Sequence, residues 1–229
     1  MELLRSVRDW EPRFRLLFPH STPEVKRRLD DGIGLMEDWL LRHRKSNHGA
    51  PPSIPVALTR LSKAIEELRG LADLLPGDEW RVRVVVDTNV LMEDPDVTAY
   101  QNELGPRYMV HLLPVVLREL DDHKRVGNRL ERREAAKKAE RRLKAMRDNG
   151  DVLQGARVAG DVYAVFEHIE PRSDELPNWL NLEVPDDRFV ASVLLLQSRH
   201  PGAKVYTATG DINLQTKLAA VGLPYIDRM

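Results

Sequence analysis

Hydrophobic residues recur at helical spacing in the first third of the chain and at strand spacing, broken by helical stretches, in the rest. Between residues 23 and 40, Val25, Leu29, Ile33, Met36, Trp39 and Leu40 fall on one side of a 3.6-residue repeat. Pro23 suits the first helical position, behind Thr22 as a candidate N-cap. The segment HGAPPSIP, 48–55, interrupts the pattern. A second amphipathic stretch then carries Val56, Leu58, Leu61, Ile65, Leu68, Leu71 and Leu75, and PGD at 76–78 ends it. Residues 1–79 show no repeat and no cluster of chemically active side chains. They predict a small all-helical N-terminal domain with a packing or oligomerisation role. A homo-oligomer or a protein partner held through this half stays open.

From Arg81 the pattern changes. RVRVVVD is a short β-branched run closed by a polar turn, and YMVHLLP is a second, after which Pro114 can open the helix PVVLRELDDHK. A long charged helix is expected to about Met146. DVYAVFEHI, 161–169, reads as a strand, with an edge position open to it. PDDRFVASVLLLQSRH reads as a helix, AKVYTAT as a strand, DINLQTKLAAVG as a helix and LPYID as a last short strand. Strands alternating with helices predict an α/β domain over 80–229, with a doubly wound, mainly parallel sheet flanked by helices. In such sheets ligand sites form beyond the carboxyl ends of the strands.

Composition removes several chemistries. The 229 residues include no cysteine, so thiolate zinc sites, iron–sulfur clusters, disulfide frameworks and cysteine nucleophiles are excluded. No apolar run approaches the roughly 18 residues of a membrane span. The charged first residues, MELLRSVRDWEPRFRLLF, do not read as a signal peptide, so a cytoplasmic protein without a membrane partner is expected. The histidines form no spaced ligand set. His20, His43 and His48 lie in the helical half, His111 within a strand, and His123 and His200 near helix ends, and each reads best as a structural or surface residue. The four tryptophans are scattered, so no stacking platform for bases is visible.

The acidic residues collect where the sheet rule puts a site. Asp87 follows the first apolar strand, and Glu119 lies five residues into the helix after the second. Asp186 and Asp187 open the next helix, and Asp211 follows AKVYTAT across a short turn. Each also has a plain structural reading: Asp87 as a turn cap, Asp186, Asp187 and Asp211 as helix caps, and Glu119 as a solvated helix residue. Brought together, such carboxylates would repel and raise one another's pKa unless a cation intervened. Oxygen-only donors point to Mg²⁺ or Mn²⁺.

VVVDTNVLM, VVLREL, PDDRFVASVLLL and YTATGDINL, in that order, resemble the four motifs of PIN-domain nucleases. On that resemblance the first motif is Asp87-Thr88-Asn89 and the second acidic residue is Glu119. The third is Asp187, in DRFVA, with Asp186 as its neighbour. The fourth is Thr209-Gly210-Asp211, with Asn213 two residues on. The stretch covered is roughly 81–229. The long insert after Glu119 is more similar to the PIN domains of larger RNA-processing proteins than to minimal toxins of the VapC kind. The resemblance implies metal-dependent phosphodiester hydrolysis, usually in single-stranded RNA, with structured RNA or DNA as other substrates. Asp87 would be the principal metal ligand. Glu119, Asp187 (or Asp186) and Asp211 would complete the site directly or through water. Thr209 or Asn89 would orient a carboxylate or the substrate phosphate.

An acidic site must still attract a polyanion. Segment 124–147 holds 11 basic residues against 3 acidic ones, whereas the rest of the second half is acidic, so the overall charge of −1 conceals a strong segregation. Lys124, Arg125, Arg129, Arg132, Arg133, Lys137 and Lys138 are the candidate phosphate contacts. An ordinary solvated helix, with Ala136, Ala139, Leu143 and Met146 turned to the core, is the alternative. Two other functions compete. A phosphotransferase of the haloacid-dehalogenase type needs a second Asp two residues after the first, where this chain has Asn89. A non-catalytic RNA-binding or scaffold module with a PIN fold would tolerate loss of a carboxylate, and none of the four is missing.

Overall fold

The computed structural model describes residues 2–18, 21–41, 48–49, 51–126, 130–172 and 180–228. The chain divides into two compact units, Met1–Pro76 and Gly77–Met229.

The first unit contains helices α1 (Glu2–Leu16), α2 (Pro23–Leu41) and α3 (Ile54–Ala72). Pro23 opens α2 as its fixed φ favours. The Thr22 hydroxyl accepts from the Val25 amide at 3.4 Å, so Thr22 is the cap the sequence suggests. Phe14, Leu29, Ile33, Leu68 and Leu71 form the buried core of this unit. At Gly32 a Cβ would meet Leu68 Cγ at 3.1 Å, so a side chain there would press on the α2–α3 contact. α1 carries Pro12 in its interior, a residue that normally argues against a helix. The stacked rings of Trp10 and Phe14, with centroids 4.6 Å apart, lie on either side of it.

The second unit runs β1 (Val82–Val86), α4 (Thr88–Glu93), α5 (Gln101–Leu104), β2 (Arg107–Leu112), α6 (Pro114–Val126), α7 (Leu130–Arg147), β3 (Ala156–Ala159), β4 (Asp161–Phe166), α8 (Pro185–Arg199), β5 (Lys204–Thr209), α9 (Ile212–Ala220) and β6 (Tyr225–Asp227). The sheet order is β3-β4-β2-β1-β5-β6. Every pairing is parallel except the antiparallel β3–β4 pair. This is the mostly parallel α/β architecture expected from the alternating pattern. β1 is central, and Val84, Val85 and Val86 are fully buried, which is why its apolar run is continuous instead of alternating.

From β1 the chain builds outward through β2 and β4 on one side. It then crosses back to lay β5 and β6 on the other. The strand order therefore reverses at β1, and a crevice opens beyond its carboxyl end, between the connections that follow β2 and β5.

Three features differ from the sequence expectation. β4 is not an edge strand, because β3 pairs with its outer side. β3 has only four residues and an irregular register between Arg157 and Ala159, too short to read as a strand in the sequence. The reversal between the two strands turns at Gly160, whose φ of +53° falls in the left-handed region that glycine adopts without strain. The short helices α4 and α5 carry no clear period and were not expected. In α7 the residues Ala136, Ala139, Leu143 and Met146 are buried, as the helical spacing requires.

A buried ionic network sits under the sheet. Asp78 and Arg83 are each only 7% exposed at the side chain, and Arg83 Nη2 donates to Asp78 Oδ1 at 2.7 Å. Asp78 Oδ2 pairs with His200 Nδ1 at 2.8 Å. Arg83 Nη1 lies 3.0 Å from His111 Nε2. An arginine can only donate, so His111 Nε2 must accept and the ring proton sits on Nδ1, which donates to Glu167 at 2.7 Å. Burial drives the His111 pKa down and the Arg83 charge adds to that, so the ring is neutral. Removing Arg83 would strand the buried Asp78 carboxylate. Arg83→Met should cost about 3–5 kcal/mol in urea unfolding. A loss under about 1 kcal/mol would show that the network does not hold this unit together.

Candidate active site

The crevice at the end of β1 is an open cleft of about 260 Å³. Asp87, Asn89 and Asp211 come from the ends of β1 and β5. Glu119 and His123 come from α6, and Arg132 from α7. Asp186 and Phe189 come from α8. Four of the carboxylates expected from the sequence, Asp87, Glu119, Asp186 and Asp211, thus share one cavity although 124 positions separate the first from the last.

Asp87 occupies the N-cap position of α4, yet its side chain makes no capping bond. Its carboxylate is instead buried, 6% exposed, and accepts from the Thr209 hydroxyl at 3.1 Å. Burial pushes the Asp87 carboxyl up to about 6, against the pull of the Thr209 hydroxyl and the Thr88 amide, and the charges of Glu119 and Asp211 push the same way as burial. A carboxylate kept from water beside two like charges is costly to keep ionised.

Thr209 is fully buried and works in two directions. It donates to Asp87 Oδ2, and its oxygen accepts from the Asp211 amide at 3.1 Å. Its hydroxyl thus ties the Asp87 carboxylate to the end of β5. Asp211 is a helix cap: one oxygen accepts from the Asn213 and Leu214 amides at 2.7 and 3.1 Å. Asp211 therefore both caps α9 and lines the cleft. Glu119 accepts a hydrogen bond from the Thr88 hydroxyl, which ties α6 to the residue after Asp87. Asn89 is exposed and lines the cleft.

The third acidic position departs from the expected assignment. Sequence favours Asp187, but it is Asp186 that lines the cleft. Asp187 is buried and committed elsewhere. Its Oδ2 accepts from the Asn181 amide at 2.9 Å and its Oδ1 pairs with Lys217 Nζ at 2.7 Å. Burial acts to raise its pKa, but the Lys217 ammonium and the Asn181 amide outweigh that and hold it below the usual range. Asp186 receives the Asn213 amide nitrogen at 2.8 Å and shares the same Lys217 at 3.2 Å. The expected supporting residue Asn213 thus acts on Asp186.

The basic segment divides in the same way. Lys124 is held between Asp121 at 2.5 Å and Glu140 at 2.8 Å, and links α6 to α7. Lys137 pairs with Glu134, and Arg133 donates to the Arg125 carbonyl at 2.9 Å. Arg125 and Lys138 are exposed, and Arg132 reaches the cleft. Arg129 lies outside the described residues, as do His20 and His43.

Four residues of the site were not singled out from the sequence. His123, read there as structural or surface, lines the cleft one helical turn beyond Glu119, and that i,i+4 spacing was the available signal. Phe189 lines it as well. Thr88 and Lys217 act through contacts across 31 and 30 or 31 positions, for which no local pattern exists.

Among the described residues, no three Asp, Glu or His side chains converge closely enough to ligate one ion directly. The donors nevertheless suit a hard cation. They are oxygens only, they crowd negative charge into one cleft, and Mg²⁺ keeps several waters of its own when held by a few carboxylates.

The PIN domain family profile matches residues 84–227, a span that begins within β1 and ends with β6. The chain belongs to the PIN-domain family, whose fold is of the nuclease type and whose members usually use divalent metals. No curated protein matches the chain. No helix among the described residues is long and apolar enough to cross a membrane.

The strained state of Asp87 has a measurable consequence. Its folded-state pKa of about 6 lies above that of an unfolded aspartate, about 3.9, so the folded chain holds this proton more tightly. That stabilisation is complete below about pH 4 and is lost as pH rises through about 6. Asp87→Asn removes the charge at every pH. In metal-free buffer it should stabilise the protein by up to about 3 kcal/mol at pH 8 and by little at pH 4. Equal effects at both pH values in urea unfolding would contradict a strained carboxylate.

Proposed function

We propose that the chain is a Mg²⁺- or Mn²⁺-dependent endoribonuclease that hydrolyses phosphodiester bonds in single-stranded RNA. The observation that carries this reading is Asp87. It stands at a helix cap without capping and is buried beside like charges at the point where the strand order reverses. Such a group costs stability and makes sense as half of a binding interaction.

Asp87, Glu119, Asp186 and Asp211 would hold the ion, directly or through its waters. When bound, the ion would lower the pKa of a water and offset the charge of the phosphate. Thr209 fixes the rotamer of Asp87, Thr88 fixes Glu119, and Lys217 with Asn213 fixes Asp186. Asp187 is a positioning residue that anchors Lys217. No protein nucleophile is needed. The exposed Arg125 and Lys138 would draw the RNA backbone towards the cleft.

Cleavage of a labelled single-stranded RNA should require Mn²⁺ or Mg²⁺, stop with chelator, and fall more than about 100-fold in Asp87→Asn. RNA that is bound but never cut across a Mn²⁺ titration would instead identify a scaffold. In binding measured without metal, Arg125→Gln and Lys138→Gln should each lower the slope of log K against log salt by about 0.7. Lys137→Gln should change it less, because Glu134 already neutralises that ammonium. Equal effects of all three would show that the ion pairs do not sort the segment.

A further inference from the structure

The cleft is not uniformly acidic. Its carboxylates lie at the ends of β1 and β5 and on α6 and α8, while its wall on the α6–α7 side presents two groups of another kind, His123 and Arg132. His123 is one turn beyond Glu119 on α6, so helix geometry directs both side chains to the same face. Arg132 lies in the first turn of α7. Its neighbours Arg133, Lys137 and Lys124 are taken up by a backbone carbonyl or by carboxylates, whereas Arg132 is exposed and is the one guanidinium lining the cleft among the described residues.

A guanidinium at this position has a defined use. A phosphodiester entering a cavity lined by four carboxylates meets repulsion from each of them. It would settle where a planar, permanently charged fork can take its non-bridging oxygens. The imidazole of His123, which lines the same cleft, can give up a proton, which neither arginine nor lysine does readily.

We propose that Arg132 binds the scissile phosphate and that His123 supplies the proton to the departing oxygen. This rests on the nuclease reading of the same cleft. In the step, a water oxygen forms a bond to phosphorus and the bond from phosphorus to the 3′ oxygen breaks. The electron pair stays on that oxygen, which takes a proton from the His123 ring. The attacking water releases its own proton to solvent through the open side of the cleft, and solvent restores the proton on His123. The products are a 5′-phosphate and a 3′-hydroxyl.

The test uses two substrates in Mn²⁺: a single-stranded RNA oligonucleotide, whose leaving alkoxide needs a proton, and bis(4-nitrophenyl) phosphate, whose nitrophenolate leaves without one. Arg132→Gln should slow both by about tenfold or more, and Arg132→Lys should recover part of that. His123→Gln should slow RNA cleavage by about a hundredfold and leave the nitrophenyl ester within about threefold of wild type. Both positions are at least partly exposed, and circular dichroism checks that the variants fold. Wild-type rates for Arg132→Gln on both substrates overturn its role. Equal losses on both substrates for His123→Gln, or none on either, overturn the proton-donor role. Failure of the nuclease reading has a different signature, a wild-type protein inactive on both substrates. In that case the His123 role falls with it, and fluorescence anisotropy of the RNA in chelator still decides Arg132: unchanged affinity in Arg132→Gln overturns its phosphate contact, and weakened affinity supports it.

Discussion

A carboxylate held out of water beside two others is the condition that organises the second unit. Asp87 lies there because β1 is the strand at which the sheet order turns back, so the residue after β1 projects into the crevice that the topology leaves open. The surroundings do not neutralise it. Burial raises its proton affinity most, the Thr209 hydroxyl and the Thr88 amide pull the other way, and Glu119 and Asp211 add to burial, while no cation pairs with it among the described residues. The contrast with Asp187 is instructive, since that residue is also buried but has Lys217 and a backbone amide. Asp187 is stabilised by a cation, and Asp87 has none paired with it among the described residues. Stability sacrificed at one point of a fold is a common mark of a binding function.

The rest of the unit supplies the rigidity that such a site needs. Parallel pairing on both sides of β1 fixes where Asp87 begins, and the Asp87 amide donates to the Ala208 carbonyl at 3.0 Å, locking the ends of β1 and β5 together. The network of Asp78, Arg83, His200, His111 and Glu167 braces the same strands from beneath. Charge is sorted on a larger scale too. The basic helix α7 lies against α6, which carries Glu119, so cationic side chains border an acidic cleft without neutralising it. Lys124 and Arg133 tie α6 to α7, while Arg125, Arg132 and Lys138 remain exposed.

Most of this architecture was legible in the sequence because it depends on local signals. The continuous valines of β1, the proline at the start of α6, and the aspartates that follow β1 and β5 are readable from composition and spacing. β3 was not, since four residues with a register irregularity leave no period to detect. The choice between Asp186 and Asp187 was not either. Adjacent residues on a helix point about 100° apart, and which one faces the cleft depends on the roll of α8 against β5, a tertiary quantity. Lys217 decides the outcome from the opposite helix. That His123 lines the cleft is legible only when it is taken together with Glu119 one turn earlier on α6. The basic segment looked uniform in sequence, and only the distances to Asp121, Glu134 and Glu140 separate structural lysines from available ones.

The central claim is that the cleft at the end of β1 takes up a divalent cation through Asp87 and its neighbours. Anomalous scattering from a crystal soaked in millimolar Mn²⁺ tests it most directly. The account predicts a peak inside the cleft within ligand distance of Asp87, with Glu119, Asp186 or Asp211 reached directly or through water, and no such peak in Asp87→Asn. Full occupancy elsewhere on the protein with the cleft vacant, or an unchanged peak in Asp87→Asn, would contradict it.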